Sequence, residues 1–414
     1  MPTLVKPLRG LRPVPEHAAD VAAPPYDVLN TAEARQRAAG RPLSFLHISK
    51  PEIDLPEGTD PYSPAVYEKG AKNLQALIQR GVLIRDAEPC YYVYRLTMGE
   101  HVQTGIVLAG NVAAYDINRI RKHEFTRPQK EDDRVRQITA LNAQTGPVLL
   151  TYRASTEVRE ILGRNAAGEP LYDLVADDGI GHTLWLIDNE NDIARLTGLF
   201  DAMDALYIAD GHHRSASASR VAAARRAGNP QASGEEDYEY FLCVAFPHDE
   251  MRILDYNRVI RDLNGRSPED LLEEIAVRFT VTPEDSQARP AKPTQFGMYL
   301  DGHWYRLDIH PQLVPGDDPV ASLDVSLLQA QLLSPLLGIG DPRRDERIDF
   351  VGGIRGLGEL EKRVDSGEMA VAFAVYPTRM EALMAVADAN EVMPPKSTWF
   401  EPKLADGLVS HLLD

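Results

Sequence analysis

The spacing of apolar and polar positions divides the chain into short elements of alternating kind. Val66, Leu74, Leu77 and Ile78 share one helical face and predict a helix over 64–80. Apolar runs at 90–97 and 104–112 flank Gly99-Glu100 and predict an antiparallel hairpin. A helical pattern over 133–142 precedes a strand at 148–152. Strands follow at 172–175 and 182–187, then a helix over 192–200. A short apolar run from Tyr207 ends at Asp210 and gives way to an Ala/Ser-rich helix over 215–226. Strands are expected at 240–246 and 254–260. Pro268-Glu269-Asp270 opens a helix reaching Phe279, with acidic residues where the helix dipole favours them. Asp301-Gly302 reads as the turn of a hairpin over 297–300 and 304–309. Helices at 325–333 and 354–366, a strand at 370–376 and a helix at 379–389 follow. Hairpins mixed with helices predict an α+β fold, with mixed or antiparallel sheets flanked by helices. Three units are expected: 1–120, 121–265 and 266–414, the last sending an arm back to the core.

Composition narrows the function. The 414 residues carry a net charge of −18, which argues against a general nucleic-acid surface but leaves room for a small basic pocket. No stretch approaches the ~20 apolar residues of a membrane span, and residues 1–10 lack the apolar core of a secretory signal. A cytoplasmic protein without membrane or nucleic-acid partners is expected. Cys90 and Cys243 sit in apolar runs and read as buried free thiols.

Three segments concentrate reactive side chains. The first is Y-I-A-D-G-H-H-R-S, 207–215. Gly211 permits a tight turn, and a helix start offers free N–H groups to an anion. Arg214 adds a fork suited to phosphate oxygens. Asp210 could be a ligand for a hard cation or a base for a hydroxyl. The plainer reading makes Asp210 a helix cap and one of His212 and His213 a core residue. The second is H-E-F-T-R-P-Q-K-E-D-D-R, 123–134, which places His123, Glu124, Thr126, Lys130 and Arg134 close together. Glu124 is a candidate base, and Lys130 and Arg134 are candidate phosphate ligands, against the alternative of a solvated charged loop. The third is M-P-P-K-S-T-W-F-E-P-K-L, 393–404. Lys396, Ser397 and Thr398 offer a cation and two hydroxyls there, or the segment is a docked arm anchored by Trp399 and Phe400. It lacks the Gly-rich stretch of a P-loop. Pro25-Tyr26-Asp27 either lines a site or is only a turn. Dinucleotide-fold, serine-hydrolase and zinc-ligand spacings are all missing.

These three segments, with A-P-P-Y-D-V at 23–28 and Q-T-G-P-V-L-L-T-Y at 144–152, resemble the signature stretches of the family called domain of unknown function 1015. The D-G-H-H-R turn is also similar to the D-G-H-x-R turn of ParB/sulfiredoxin-like proteins, which hold nucleotide phosphates there. That resemblance implies a ParB/sulfiredoxin-like nucleotide-binding core around Asp210. Its nearest chemical analogue is the free-serine kinase, which phosphorylates L-serine to O-phosphoserine with ADP or ATP. By this analogy Asp210 takes the hydroxyl proton or a magnesium ion, and Gly211, Arg214 and Ser215 cradle phosphate. Glu124 stands in for the kinase's glutamate on chemical grounds.

Three functions follow as expectations. The leading one is a phosphotransferase using ATP or ADP, with Mg²⁺ on Asp210 or Glu124. His123, His212 and His213 would assist catalysis. Thr126, Lys130, Arg134, Lys396, Ser397 and Thr398 would gather around the phosphates. The second is a metal-dependent, phosphatase-like hydrolase with His123, Glu124, Asp210 and His212 as ligands. The third is a nucleotide-binding regulator without turnover. A homodimer is compatible with all three.

Overall fold

The computed structural model describes residues 2–414. It is α+β, with mixed and antiparallel sheets flanked by helices. Chain contacts define two compact units: residues up to Met251 together with Pro402–Asp414, and Arg252–Glu401.

The first unit is built on a nine-stranded mixed sheet. Its order is Ile120–Arg121, Leu206–Asp210, Val148–Tyr152, Tyr240–Pro247, His101–Asn111, Tyr91–Met98, Gly181–Ile187 and Tyr172–Val175, with Val5–Lys6 pairing beside His101–Asn111. Tyr240–Pro247 runs parallel to Val148–Tyr152, and Leu206–Asp210 runs parallel to Ile120–Arg121. The central strands Val148–Tyr152 and Tyr240–Pro247 are buried throughout. Their continuous apolar runs reflect cover on both faces. Tyr172–Val175, at the edge, alternates buried and exposed positions. Helices Thr156–Asn165, Glu190–Asp201 and His212–Gly228 give side chains to the main core.

Residues 402–414 belong to this unit. Asp406 exchanges two backbone hydrogen bonds with Ala23, Ser410 does the same with Leu11, and His411–Leu412 pairs with Ala143–Gln144. The contacts do not divide the chain after 120 or 265, because Tyr240–Pro247 pairs directly with His101–Asn111. That long-range pairing leaves no local mark in the sequence.

The second unit carries a six-stranded, fully antiparallel sheet. Its order is Phe279–Glu284, His303–Ile309, Gln295–Leu300, Val371–Val375, Tyr256–Ile260 and Ile348–Gly352. The predicted hairpin at Asp301-Gly302 forms, and both turn residues take positive φ. Phe279 opens a strand rather than ending a helix, because Pro268–Ile275 stops earlier. Among the described residues no helix is long and apolar enough to cross a membrane.

Candidate functional site

The Asp210 segment forms as a strand, a one-residue turn and a helix. Gly211 has φ 95°, a left-handed conformation that only glycine takes readily. A Cβ at this position would also lie 3.3 Å from the Val148 Cα. The turn is so tight that the helix begins at His212, three residues before the expected start. His212, His213 and Arg214 therefore leave the first helical turn on different sides.

Asp210 is fully engaged. Its Oδ2 accepts from Lys403 Nζ at 3.0 Å, and its Oδ1 accepts from the Gly211 N–H at 2.7 Å. Burial alone would push this carboxyl up. The charges of Lys403 and Arg214, with those two hydrogen bonds, outweigh it and hold the group well below the usual range.

Beside the turn lies a cavity of about 30 Å³, lined in part by Tyr26, Arg134, Gln144, Gly146, Arg214 and Asp406. Space of that size holds about two waters or the head of a small ligand. Helix Pro128–Leu141 supplies Arg134, whose guanidinium donates to Asp133 at 2.7 and 3.0 Å and stacks 3.9 Å from the Tyr26 ring. Arg214 donates to the Pro147 carbonyl at 2.8 Å and pairs with Asp27 at 3.2 Å, while its Nε is buried without a partner. Asp406 is 1% exposed, and its Oδ1 also lacks a partner. A Cβ added to Gly146 would sit 3.4 Å from both of these atoms, so glycine keeps the gap between them open. Burial pushes Asp406 up to about 7. Arg214 and Arg134 pull against that shift, and Asp27 adds to it.

His123 and His212 make a different kind of pair. Both are buried, and their rings meet edge to face with centroids 4.5 Å apart. None of their four ring nitrogens has a well-formed hydrogen bond. Burial lowers His123 to about 4, with the Ile208 backbone and Asp210 opposing, and lowers His212 well below its ordinary value, with His123 adding to the effect. Glu124 is exposed, and one of its oxygens lies within 4.8 Å of a nitrogen on each ring.

The remaining predicted residues are held by local partners. His213 Nε2 accepts from the Arg127 N–H at 3.0 Å, at the start of helix Pro128–Leu141. Ser215 Oγ donates to the His212 carbonyl at 3.1 Å, so its hydroxyl points back along its own helix. Thr126 donates to Glu131, and Lys130 donates to the Tyr62 hydroxyl at 3.3 Å. Lys396, Ser397 and Thr398 belong to the second unit. There Lys396 has φ 60° and lies 5.3 Å from the Tyr256 ring, and Ser397 Oγ donates to the Pro394 carbonyl at 2.6 Å. Sequence reasoning missed Asp406, Gly146 and the role of Lys403. The one available signal was an acidic residue set among apolar neighbours in L-A-D-G-L-V, 404–409.

Fold and site together define an α+β protein with an arginine-lined cavity beside a helix N-terminus. The chain belongs to the family described as protein of unknown function (DUF1015), whose family model matches residues 5–326. No curated protein matches it. Solved structures similar to it include a conserved hypothetical protein from Pyrococcus furiosus, at 13% identity and TM-score 0.35, covering 76% of this chain and 97% of that one. Free serine kinase in complex with AMP is similar at 13% identity and TM-score 0.35, covering 75% and 93%. C-terminally truncated SbnI from Staphylococcus aureus is similar at 13% identity and TM-score 0.39, covering 74% and 87%. Likeness at this level leaves the functional reading to the site itself.

Proposed function

We propose that this chain is a nucleotide-dependent phosphotransferase acting on a small hydroxyl-bearing metabolite, with a free amino acid such as L-serine as acceptor. The observation that carries this reading is the gap at Gly146, bordered by the unpartnered Arg214 Nε and the unpartnered Asp406 Oδ1. A cation and a proton acceptor line one cavity, and phosphoryl transfer to a hydroxyl draws on both.

In this reading the acceptor hydroxyl attacks the terminal phosphorus of ATP or ADP. Its proton passes to Asp406, the new O–P bond forms, and the bond to the departing nucleotide breaks. A carboxyl held near 7 is matched to that task at neutral pH. Arg214 and Arg134 neutralise the transferring oxygens, and the start of helix His212–Gly228 adds its dipole, as in a ParB/sulfiredoxin-like phosphate turn. Asp210, kept ionised by Lys403, is a poor base and serves to position that lysine. Magnesium would enter on the nucleotide phosphates and offset their charge. Asp210 accepts one hydrogen bond at each oxygen and keeps lone pairs with which it could meet that ion.

The test combines protein, Mg²⁺, ATP or ADP, and a panel of amino acids and sugars, read by mass spectrometry for a phosphorylated acceptor. A product mass gained only with nucleotide present supports the reading. Absence of nucleotide binding by calorimetry at millimolar concentration overturns it.

A further inference from the structure

We propose a second ligand site in the first unit: His123, His212 and Glu124 hold one divalent transition-metal ion of the zinc class. Three observations converge. The candidate ligand atoms, one from each residue, all lie within 4.8 Å of one another. Ligands on a tetrahedral zinc stand about 3.4 Å apart, so a modest closure completes the site. Glu124 is exposed, beside two buried histidines.

The second observation is the state of the imidazoles. His123 is 2% exposed and His212 4%, yet none of their four ring nitrogens makes a well-formed hydrogen bond. Buried ring nitrogens without well-formed hydrogen bonds are uncommon, and two such rings in contact point to something that binds them. A metal ion meets one nitrogen of each ring at once.

The third is the donor chemistry. Two imidazoles and one carboxylate suit zinc, cobalt, nickel or iron, whereas magnesium and calcium prefer all-oxygen sets. Three protein ligands also leave coordination positions for water or a substrate oxygen. Asp210 is not part of the set, since the clustered ligand atoms are those of His123, Glu124 and His212 alone. His213 is excluded as well, since its Nε2 is spent on Arg127. Of two adjacent histidines, only His212 faces His123.

The proposal is independent of phosphoryl transfer, and its test reads binding rather than turnover. Full-length protein is stripped with a chelator and titrated with Zn²⁺, and separately with Co²⁺, whose visible absorption reports ligand type. Elemental analysis after gel filtration should give one zinc per chain, retained against excess Mg²⁺, and a rise in Tm with added zinc. Glu124→Gln should weaken zinc binding by about tenfold or more, with its metal-free Tm read alongside. His123→Leu and His212→Leu should each abolish it, with Tm and circular dichroism of the metal-free proteins confirming that they fold. Sub-stoichiometric zinc in the wild type, displacement by Mg²⁺, or equal binding by wild type and Glu124→Gln would each overturn the assignment.

Discussion

The two units treat buried polar groups in opposite ways. In the second unit, Asn257 donates to Asp255 at 2.5 Å and accepts from the Val375 N–H at 3.1 Å. Arg258 reaches the Lys396 carbonyl at 3.0 Å, and Gln295 bonds both Ala291 and Asp308. Among the described residues of that unit, Ser326 Oγ is the single buried side-chain atom without a partner. In the first unit, His123, His212, Arg214 and Asp406 between them leave six such atoms, beside one turn and one cavity. A lone buried hydroxyl leaves one neutral group unmatched. A cluster of imidazole, guanidinium and carboxylate groups leaves several at once. The contrast separates a unit whose polar interior is closed on itself from one that leaves a cluster of polar groups unmatched.

The largest test of that contrast is Asp406→Asn. Loss of the proton acceptor should slow phosphoryl transfer by about 10²–10⁴-fold in single-turnover assays; undiminished turnover would place the chemistry elsewhere. The same variant should be the more stable protein at high pH in the absence of ligand. The folded value of Asp406, about 7, lies above the ordinary carboxyl value of 3.8, so ionising it penalises the folded state. Arg214, Arg134, Tyr26 and Asp27 surround it, and their influence is already contained in that value. Wild type should lose stability relative to Asp406→Asn as pH climbs from about 4 to about 7 and level off above, by up to about 4 kcal/mol. Urea melts across that range check the slope.

Arg214→Gln comes next. It removes a charge-assisted contact and should weaken nucleotide binding by about 1.5–3 kcal/mol, read by calorimetry. Asn257→Ala is the counterpart in the second unit. It should cost about 1–3 kcal/mol of that unit's stability while nucleotide affinity stays unchanged. An equal loss of affinity would dissolve the distinction between the two interiors. The smallest effect is expected from Gly146→Ala, whose methyl would stand 3.4 Å from Arg214 Nε and Asp406 Oδ1. It should cost about 1 kcal/mol of ligand binding with little change in Tm.

Much of the fold was legible in the chain because its elements announce themselves locally. The helix Pro64–Gln79, the hairpin of Tyr91–Met98 and His101–Asn111, and the hairpin at Asp301-Gly302 follow from periodicity and turn chemistry. The site was only half legible. Gly211, Arg214 and Arg134 stood out because charge and glycine mark a turn. Thr126, Ser215 and His213 carry the same kinds of polar group, yet they satisfy neighbours in their own helices or at a helix start. No pattern in the chain tells a spent hydroxyl from an available one. Asp406 went unread for the opposite reason. Nothing near it in sequence hints that Arg214 and Arg134 face it, because the pairing exists only once residues 402–414 rejoin the first sheet.

That return gives the site a history in time. Lys403 meets Asp210 across 193 residues of chain, and the whole second unit lies between them. At a synthesis rate of roughly 5–20 residues per second, roughly 10–40 s pass between the emergence of the turn and the emergence of the arm. Throughout that interval Arg214 and Arg134 have Asp27 and Asp133 beside them, but not Asp406. The cavity is completed only when Asp406 arrives, after the whole second unit has been made.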